Sequence, residues 1–555
     1  MPVRIDERFN TFLKHAAASV APAAQTASLR WEVPKEPSFG DLSSPAAFKL
    51  APPGVKAGAG EVAQRLVAAL QETLQRTEAA GWVDRIEARG GFVNVWLSPA
   101  ALTETIRSIL RQRSRYGTDR RGAGRSAVIE FVSANPTGPL SVAHGRQAAV
   151  GDALARLLRS QGWRVTAEYY LNDEGRQIDL LGQSLRARYL EQLGRPAPLP
   201  EDGYQGAYLV NTATQLVKAK RDGLVQEPAA VFTAIAMREQ LQEIRRDLRR
   251  FGLTFDRWTK QSWLRASGRI DRALARLAAR GLLYESEGAL WFCSTKFGDD
   301  KDRVVRKRDG ELTYLAPDIA YHEWKFQRGY DRLINLWGPD HHGYIPRLTC
   351  ALAALGRPAD RFLVRIVQLV TLSRHGKPVP MSKRQGEFVT FREVLGEVGV
   401  DATRFFYLMR TMESHLDFDL DLAKSQSNDN PVYYVQYAHA RICSILRYAR
   451  AQLPWRKRLG PVDLALLAEP EERMVLRQLF QFPMVTRACA QALEPHGLTG
   501  YLQRLAELLH VFYTKHRVVT EDAPRSRARL ALIQATRQVL ANGLGLLGVS
   551  APRRM

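Results

Sequence analysis

Ala127-Val128-Ile129-Glu130-Phe131-Val132-Ser133-Ala134-Asn135-Pro136-Thr137-Gly138-Pro139-Leu140-Ser141-Val142-Ala143-His144-Gly145-Arg146 is the stretch on which the fold turns. Residues 127–132 are a short, β-rich apolar run of the kind a buried parallel strand needs, and 145–161 carries helical spacing beyond an intervening Pro/Gly loop. A loop that opens a helix offers backbone N–H groups and the positive end of the helix dipole to an anion. His144, at the helix start, is placed to hydrogen-bond a phosphate oxygen. Alone it reads better as a capping or surface histidine; a second basic loop downstream tips the balance.

Strand signals recur at 165–170, 332–337 and 363–370, which predicts a doubly wound α/β sheet interrupted by a helical insertion at about 185–285. Before it, residues 1–115 read as a small α+β unit. Val62, Leu66, Leu70 and Leu74 give 61–80 a helical stripe, 91–97 alternates as a strand, and 34–60 is a Pro/Gly/Ser-rich loop around Phe39-Gly40-Asp41. A basic linker, 111–125, joins this unit to the sheet. From about 425 the pattern turns helical through 437–450, 472–493 and 502–518, an all-α bundle entered at the breaker Asn428-Asp429-Asn430-Pro431. The 555 residues are too many for one core, and units of 1–115, 116–425 and 426–555 are expected.

Lys and Arg number 80 against 57 Asp and Glu, a formal charge of +23, which favours a polyanionic partner. Any single basic group, such as Arg245-Arg246 or Arg456-Lys457-Arg458, reads first as a solvated helix face; only the summed excess speaks for a polyanion. Cys293, Cys350, Cys443 and Cys489 stand far apart without metal or disulfide spacing, so they read as core residues in a reducing cytosol, with no structural metal. No window approaches the ~18 apolar residues of a membrane helix, and a soluble, cytoplasmic protein with no membrane partner is expected.

Met381-Ser382-Lys383-Arg384-Gln385-Gly386 is the second basic loop, flanked by Gly and Pro, and its composition suits a mobile segment closing over phosphates. Gly338-Pro339-Asp340-His341-His342-Gly343 places a glycine and a carboxylate at the carboxyl end of a strand, where open α/β sheets bind ligands. In Leu312 to Tyr321, Asp318 is either a helix N-cap after Pro317 or a buried carboxylate for a cation. Asn430 to Ile442 combines tyrosines with Gln, His and Arg, a composition that serves single-stranded RNA, although a tyrosine stripe is more often core.

Taken together, these segments resemble the arginyl-tRNA synthetases of class I, from about Phe39 to Met555. The family has a histidine where this chain has Ser141, a glycine at Ala143, and a lysine at Pro380 in its KMSKS loop. The resemblance implies a Rossmann-type catalytic domain, an additional α+β N-terminal tRNA-binding domain and a helical anticodon-binding domain. It implies arginine activation with ATP, accompanied by Mg²⁺, and transfer to the 3′ end of tRNA(Arg) by a monomer. Implied catalytic residues are His144 and Lys383. ATP would be bound by Ser141, His144, Gly145, Gly338, Asp340, Met381, Ser382, Lys383 and Arg384, and arginine by Ser133, Asn135, Tyr314, Asp318 and Tyr321. The tRNA would meet Tyr434, Gln436, Tyr437, His439, Arg441 and Met555. Gln368 and His341 are weaker candidates near the ligand. Two alternatives remain open: another class I amino acid specificity, and a noncatalytic tRNA-binding paralogue.

Overall fold

The computed structural model describes the chain apart from residues 1–4, 23–25, 27–28, 35, 52–57, 196, 380–388 and 453–461. Near the N-terminus, strands β1 (Leu42–Ser44), β2 (Val83–Arg89) and β3 (Phe92–Leu97) form an antiparallel sheet ordered β1-β3-β2. Helix Gly58–Gln75 lies on this sheet and buries Leu66, Leu70 and Leu74, while helix Ile5–Val20 packs on that helix. The expected loop at 34–60 thus holds β1 and the short helix Ala46–Leu50. Its Phe39-Gly40-Asp41 turn is structural. Gly40 has φ +95°, and a Cβ there would stand 2.6 Å from the Val95 carbonyl oxygen. The Asp41 carboxylate accepts from the Leu97 N–H (2.8 Å) and pairs with Arg477 (2.9 Å).

The central sheet contains β4 (Ser126–Glu130), β5 (Arg164–Leu171) and β6 (Arg257–Lys260). After a small antiparallel sheet of β7 (Leu283–Ser286), β8 (Ala289–Phe292) and β9 (Arg303–Arg306), the chain returns as β10 (Arg332–Trp337) and β11 (Phe362–Ile366). All five central strands are parallel, in the order β11-β10-β4-β5-β6. The expected insertion at 185–285 is corrected here: helices Arg176–Gln192, Ala207–Lys220 and Ala229–Arg250 lie between β5 and β6, and β6 itself is the edge of the main sheet. Arg257-Trp258-Thr259-Lys260 buries only Thr259, so it carries no apolar run to announce it. The single strand expected at 363–370 is two, β11 and β12 (Val370–Arg374), broken at Val367–Leu369. Beside β12 lie β13 (Lys377–Pro378) and β14 (Leu416–Asp419).

Helices Pro431–Gln452, Pro470–Ala492, His496–Lys515 and Ala523–Leu547 complete the chain. Asn430 opens the first of them, accepting from the Val432 N–H (3.2 Å) and donating to the Ser425 carbonyl (2.8 Å). One apolar core draws on all three units, from Ile5 to Val549, and a second, from Val128 to Phe362, lies wholly within the middle one. Helix Pro99–Gln112 packs against the C-terminal helices, and the Tyr116 hydroxyl donates to the Leu479 carbonyl (3.0 Å). Helix Ala523–Leu547 also lies on helix Val142–Ser160, and Asn542 donates to the carbonyls of Arg113 and Tyr116 (2.9 and 3.0 Å). Among the described residues, no helix is long and apolar enough to cross a membrane.

Candidate active site at the sheet switch point

From β4 the chain winds outward through β5 and β6, then returns to the other side of β4 as β10 and β11. The carboxyl ends of β4 and β10 therefore flank the crevice where such sheets take ligands. Just past β4, Val132 and Ser133 have φ of +67° and +37°. A left-handed conformation is costly for a β-branched residue and persists only when its surroundings enforce it. Here the Ser133 hydroxyl donates to Glu130 (3.1 Å) and accepts from the Tyr170 N–H (3.0 Å), while the Tyr169 hydroxyl donates to the Ala134 carbonyl (2.7 Å).

Beyond this turn opens a cavity of about 750 Å³, lined by the Asn135–Pro139 loop, His144 and Asp340 on one side and by residues 201–208 of the insertion on the other. Ser141 is the N-cap of helix Val142–Ser160. The Nδ1 of His144 accepts from the Ser141 N–H (3.2 Å) and lies 3.0 Å from the Ser141 hydroxyl. This cap assigns the ring proton to Nε2. Ser141 thus orients the His144 ring.

Gly145 is buried, and a side chain there would meet the Phe391 ring at 2.4 Å, so its missing Cβ serves packing between the His144 helix and the segment after residue 388. Thr390 bridges Ser141, and the Phe391 N–H donates to the Leu140 carbonyl (2.8 Å). The chain carrying Pro380, Met381, Ser382, Lys383 and Arg384 therefore re-enters beside the cleft; those residues, like Arg456 to Arg458, lie outside the described ones. Gly338 admits the Asp340 carboxylate, 2.5 Å from where a Cβ would be, and Asp340 in turn lies 3.2 Å from His341. Arg146, fully buried, donates to the carbonyls of Gln368 (3.0 Å), Ser414 (2.8 Å) and Thr411 (2.8 Å), tying the His144 helix to the β11–β12 break. The Gln368 contribution is thus its backbone.

Asp318 lies in the first turn of helix Leu315–Gln327, whose N-cap is Tyr314, so the N-cap reading of Asp318 is excluded. Its carboxylate accepts from the Tyr344 hydroxyl (2.8 Å). Solvent reaches the residue only in part, and crowding by protein pushes its carboxyl up to about 7, with a further push from Glu130 that Tyr344, His341 and Lys325 oppose. Glu130, Asp173, Glu174 and Asp318 all surround Tyr170, an acidic concentration in a chain of net charge +23. A buried chain supports it. Lys325 donates to Glu130 and to Asn335 (3.1 Å), and Asn335 donates to His322 Nε2 (2.7 Å), whose Nδ1 donates to the Asp318 carbonyl (2.9 Å). Burial, then Lys325, holds His322 well below the ordinary histidine range, so it is neutral in this chain.

Tyr321 is fully buried, its hydroxyl donating to Glu168 (3.0 Å) and its ring 4.4 Å from that of Tyr170. It forms the floor under Tyr170. Tyr314, 71% exposed, is the N-cap of the Asp318 helix, and its carbonyl accepts from the Asp318 N–H (3.3 Å). Asn135 lines the cavity, its amide donating to Gln177 (2.7 Å). Glu130, Tyr170, Tyr344 and Gln177 belong to the site without having been singled out: none sits in a motif, and two strands, a helix start and the turn after β10 bring them together.

In the C-terminal bundle, Gln436 and His439 are buried and hold the chain's last residues. Gln436 donates to Asp401 (2.8 Å) and the Ser550 carbonyl (3.0 Å), and His439 Nδ1 donates to the Pro552 carbonyl (2.8 Å). Tyr437 stacks on Tyr433 and His510 and remains half-buried, as does Tyr434, while Arg441 and Met555 are exposed.

Three family descriptions match in chain order: "Arginyl tRNA synthetase N terminal domain" at residues 5–97, "tRNA synthetases class I (R), catalytic domain" at 105–414, and "DALR anticodon binding domain" at 435–555. Arginine–tRNA ligase 1 of Halalkalibacterium halodurans is 45% identical, the match covering 97% of this chain and 96% of that protein. The arginine–tRNA ligase of Desulfosudis oleivorans is 46% identical over 97% of this chain and 98% of its own length. Thermus thermophilus arginyl-tRNA synthetase shares the fold, with a TM-score of 0.77 at 23% identity over 99% of this chain and all of that one. Matched along nearly its whole length by arginine–tRNA ligases, the chain belongs to the arginyl-tRNA synthetase family of class I tRNA synthetases.

Proposed function

We propose that the protein is an arginine–tRNA ligase. It takes arginine and the magnesium complex of ATP, forms arginyl-adenylate and pyrophosphate, and passes the arginyl group to the 3′-terminal ribose of tRNA(Arg). In the first step an oxygen of the arginine carboxylate bonds to the α-phosphorus and pyrophosphate leaves. In the second, a ribose hydroxyl attacks the arginyl carbonyl and AMP leaves. Both are helped by placement and by charge, not by a covalent enzyme intermediate.

The observation that carries the arginine assignment is the pocket of Asp318, Tyr344, Tyr170 and Glu130: a carboxylate raised by burial is stabilised by a planar cation that pairs with it. Asn135 and the Ser133 turn face the α-ammonium end. Gly338 and Asp340 receive the ribose, and the Nε2–H of His144 and the Lys383 charge stabilise the departing pyrophosphate. The N-terminal unit, 1–115, and the bundle, 426–555, carry tRNA, with Tyr434, Tyr437, Arg441 and Met555 as the surface for bases; Gln436 and His439 act by holding the tail that presents Met555. ATP–pyrophosphate exchange across a panel of amino acids, with and without tRNA, is the test. Arginine alone should support exchange; exchange with another amino acid, or none, would overturn the reading.

A further inference from the structure

The helical insertion has its own core of Leu181, Leu185, Tyr189, Leu209 and Phe232, so its apolar packing does not require it to touch the cleft. It nevertheless grips the loop between β4 and the His144 helix through two hydrogen bonds. Gln177, in the first turn of helix Arg176–Gln192, accepts from the Asn135 amide (2.7 Å). The Tyr208 hydroxyl, in the first turn of helix Ala207–Lys220, donates to the Thr137 carbonyl (2.6 Å). Tyr204 lines the same cavity as Thr137, and its backbone N–H is fixed to the buried Ser184 hydroxyl (3.0 Å). A side chain on Gly138 would come within 3.3 Å of the Tyr208 ring, so glycine lets that ring lie flush on the loop. Burial keeps the Tyr208 phenol far above its ordinary range, so it stays a donor.

We infer that Tyr208 is a positioning residue for the nucleotide subsite, and that through it and Gln177 the insertion holds the Asn135–Pro139 loop in the shape that receives ATP. The inference rests on the assignment of this cleft to ATP and arginine. The physical reason is entropic: a loop containing a glycine presents its N–H groups to phosphate only if its backbone is ordered beforehand, and two hydrogen bonds from a separately cored module supply that order.

The experiment is arginine-dependent ATP–pyrophosphate exchange by full-length Tyr208→Phe, which keeps the ring and removes one hydrogen bond. The KM for ATP should rise roughly 3- to 10-fold, the worth of a single hydrogen bond, with the KM for arginine within about twofold of wild type and Tm unchanged. Gln192→Ala is the control. It breaks hydrogen bonds to the Val210 carbonyl (3.2 Å) and Thr214 (2.9 Å) inside the same insertion, roughly 20 Å along the helix from Gln177, and should leave both KM values alone. An unchanged ATP KM in Tyr208→Phe, or an equal shift in Gln192→Ala, overturns the inference while wild-type exchange leaves the enzyme's assignment standing. Wild type without arginine-dependent exchange would sink both.

Discussion

Asp318 connects specificity to pH. Its carboxyl is displaced from the ordinary 3.8 to about 7. At ~1.36 kcal/mol per pH unit this sets an upper limit of about 4 kcal/mol on what ionisation costs the empty pocket. Arginine must bind the ionised form, so kcat/KM for arginine should fall about tenfold between pH 8 and pH 6, as the ionised fraction falls below about one in ten. Asp318→Asn keeps the shape and a partner for Tyr344 but removes the charge. It should lose ~2–5 kcal/mol of arginine kcat/KM, flatten this pH dependence, and narrow the preference for arginine over citrulline, which lacks the cation. Stability should move the other way. The folded protein retains a proton that the unfolded chain releases between about pH 4 and pH 7, so this carboxyl's stabilising contribution declines as pH rises through that window. Asp318→Asn should therefore resist urea better than wild type above about pH 7 and equally well below about pH 4. Exchange kinetics with both amino acids from pH 6 to 8, beside urea titrations, measure all of this. A flat wild-type profile, or an arginine preference that survives in Asp318→Asn, would mean that the carboxylate only anchors Tyr344.

Lys383→Ala should slow single-turnover adenylate formation by ~10²-fold or more while tRNA affinity stays within a few fold; an unchanged rate would remove Lys383 from the mechanism. Affinity for tRNA should fall ~10²-fold or more between 50 and 200 mM salt while arginine binding barely responds, and a flat titration would count against a basic RNA surface. Arg146→Met should destabilise the protein by about 3 kcal/mol or more in urea, since the Gln368, Thr411 and Ser414 carbonyls lose a buried donor; a wild-type midpoint would show that they do not depend on it.

Strands with an apolar run announced themselves: Arg332–Trp337 has the bounds that its sequence suggests, and Ser126–Glu130 differs only at its ends. Arg257–Lys260 did not, because an edge strand of four residues needs no apolar signature. Asp318 stands out through resemblance, its local sequence suiting a helix N-cap equally well, whereas Tyr170, Tyr344 and Glu130 come to it from separate strands and loops. Gln436 and His439 have the composition of base-reading residues, and nothing local reveals that the chain's last residues return to occupy them. Tyr208 sits in an insertion without a motif, so its grip on Thr137 exists only in three dimensions.

The helix Ala523–Leu547 rests on the His144 helix, with Arg156 and Arg404 reaching the carbonyls of Gly545 and Leu547 (3.4 Å each). On the ribosome, every strand of the sheet emerges before the helix that covers it. The apolar face of the nucleotide-binding half must therefore wait, exposed, through synthesis of the whole bundle, a period in which aggregation and chaperone capture compete with folding. Translation stopped short of this helix would leave part of the His144 helix exposed.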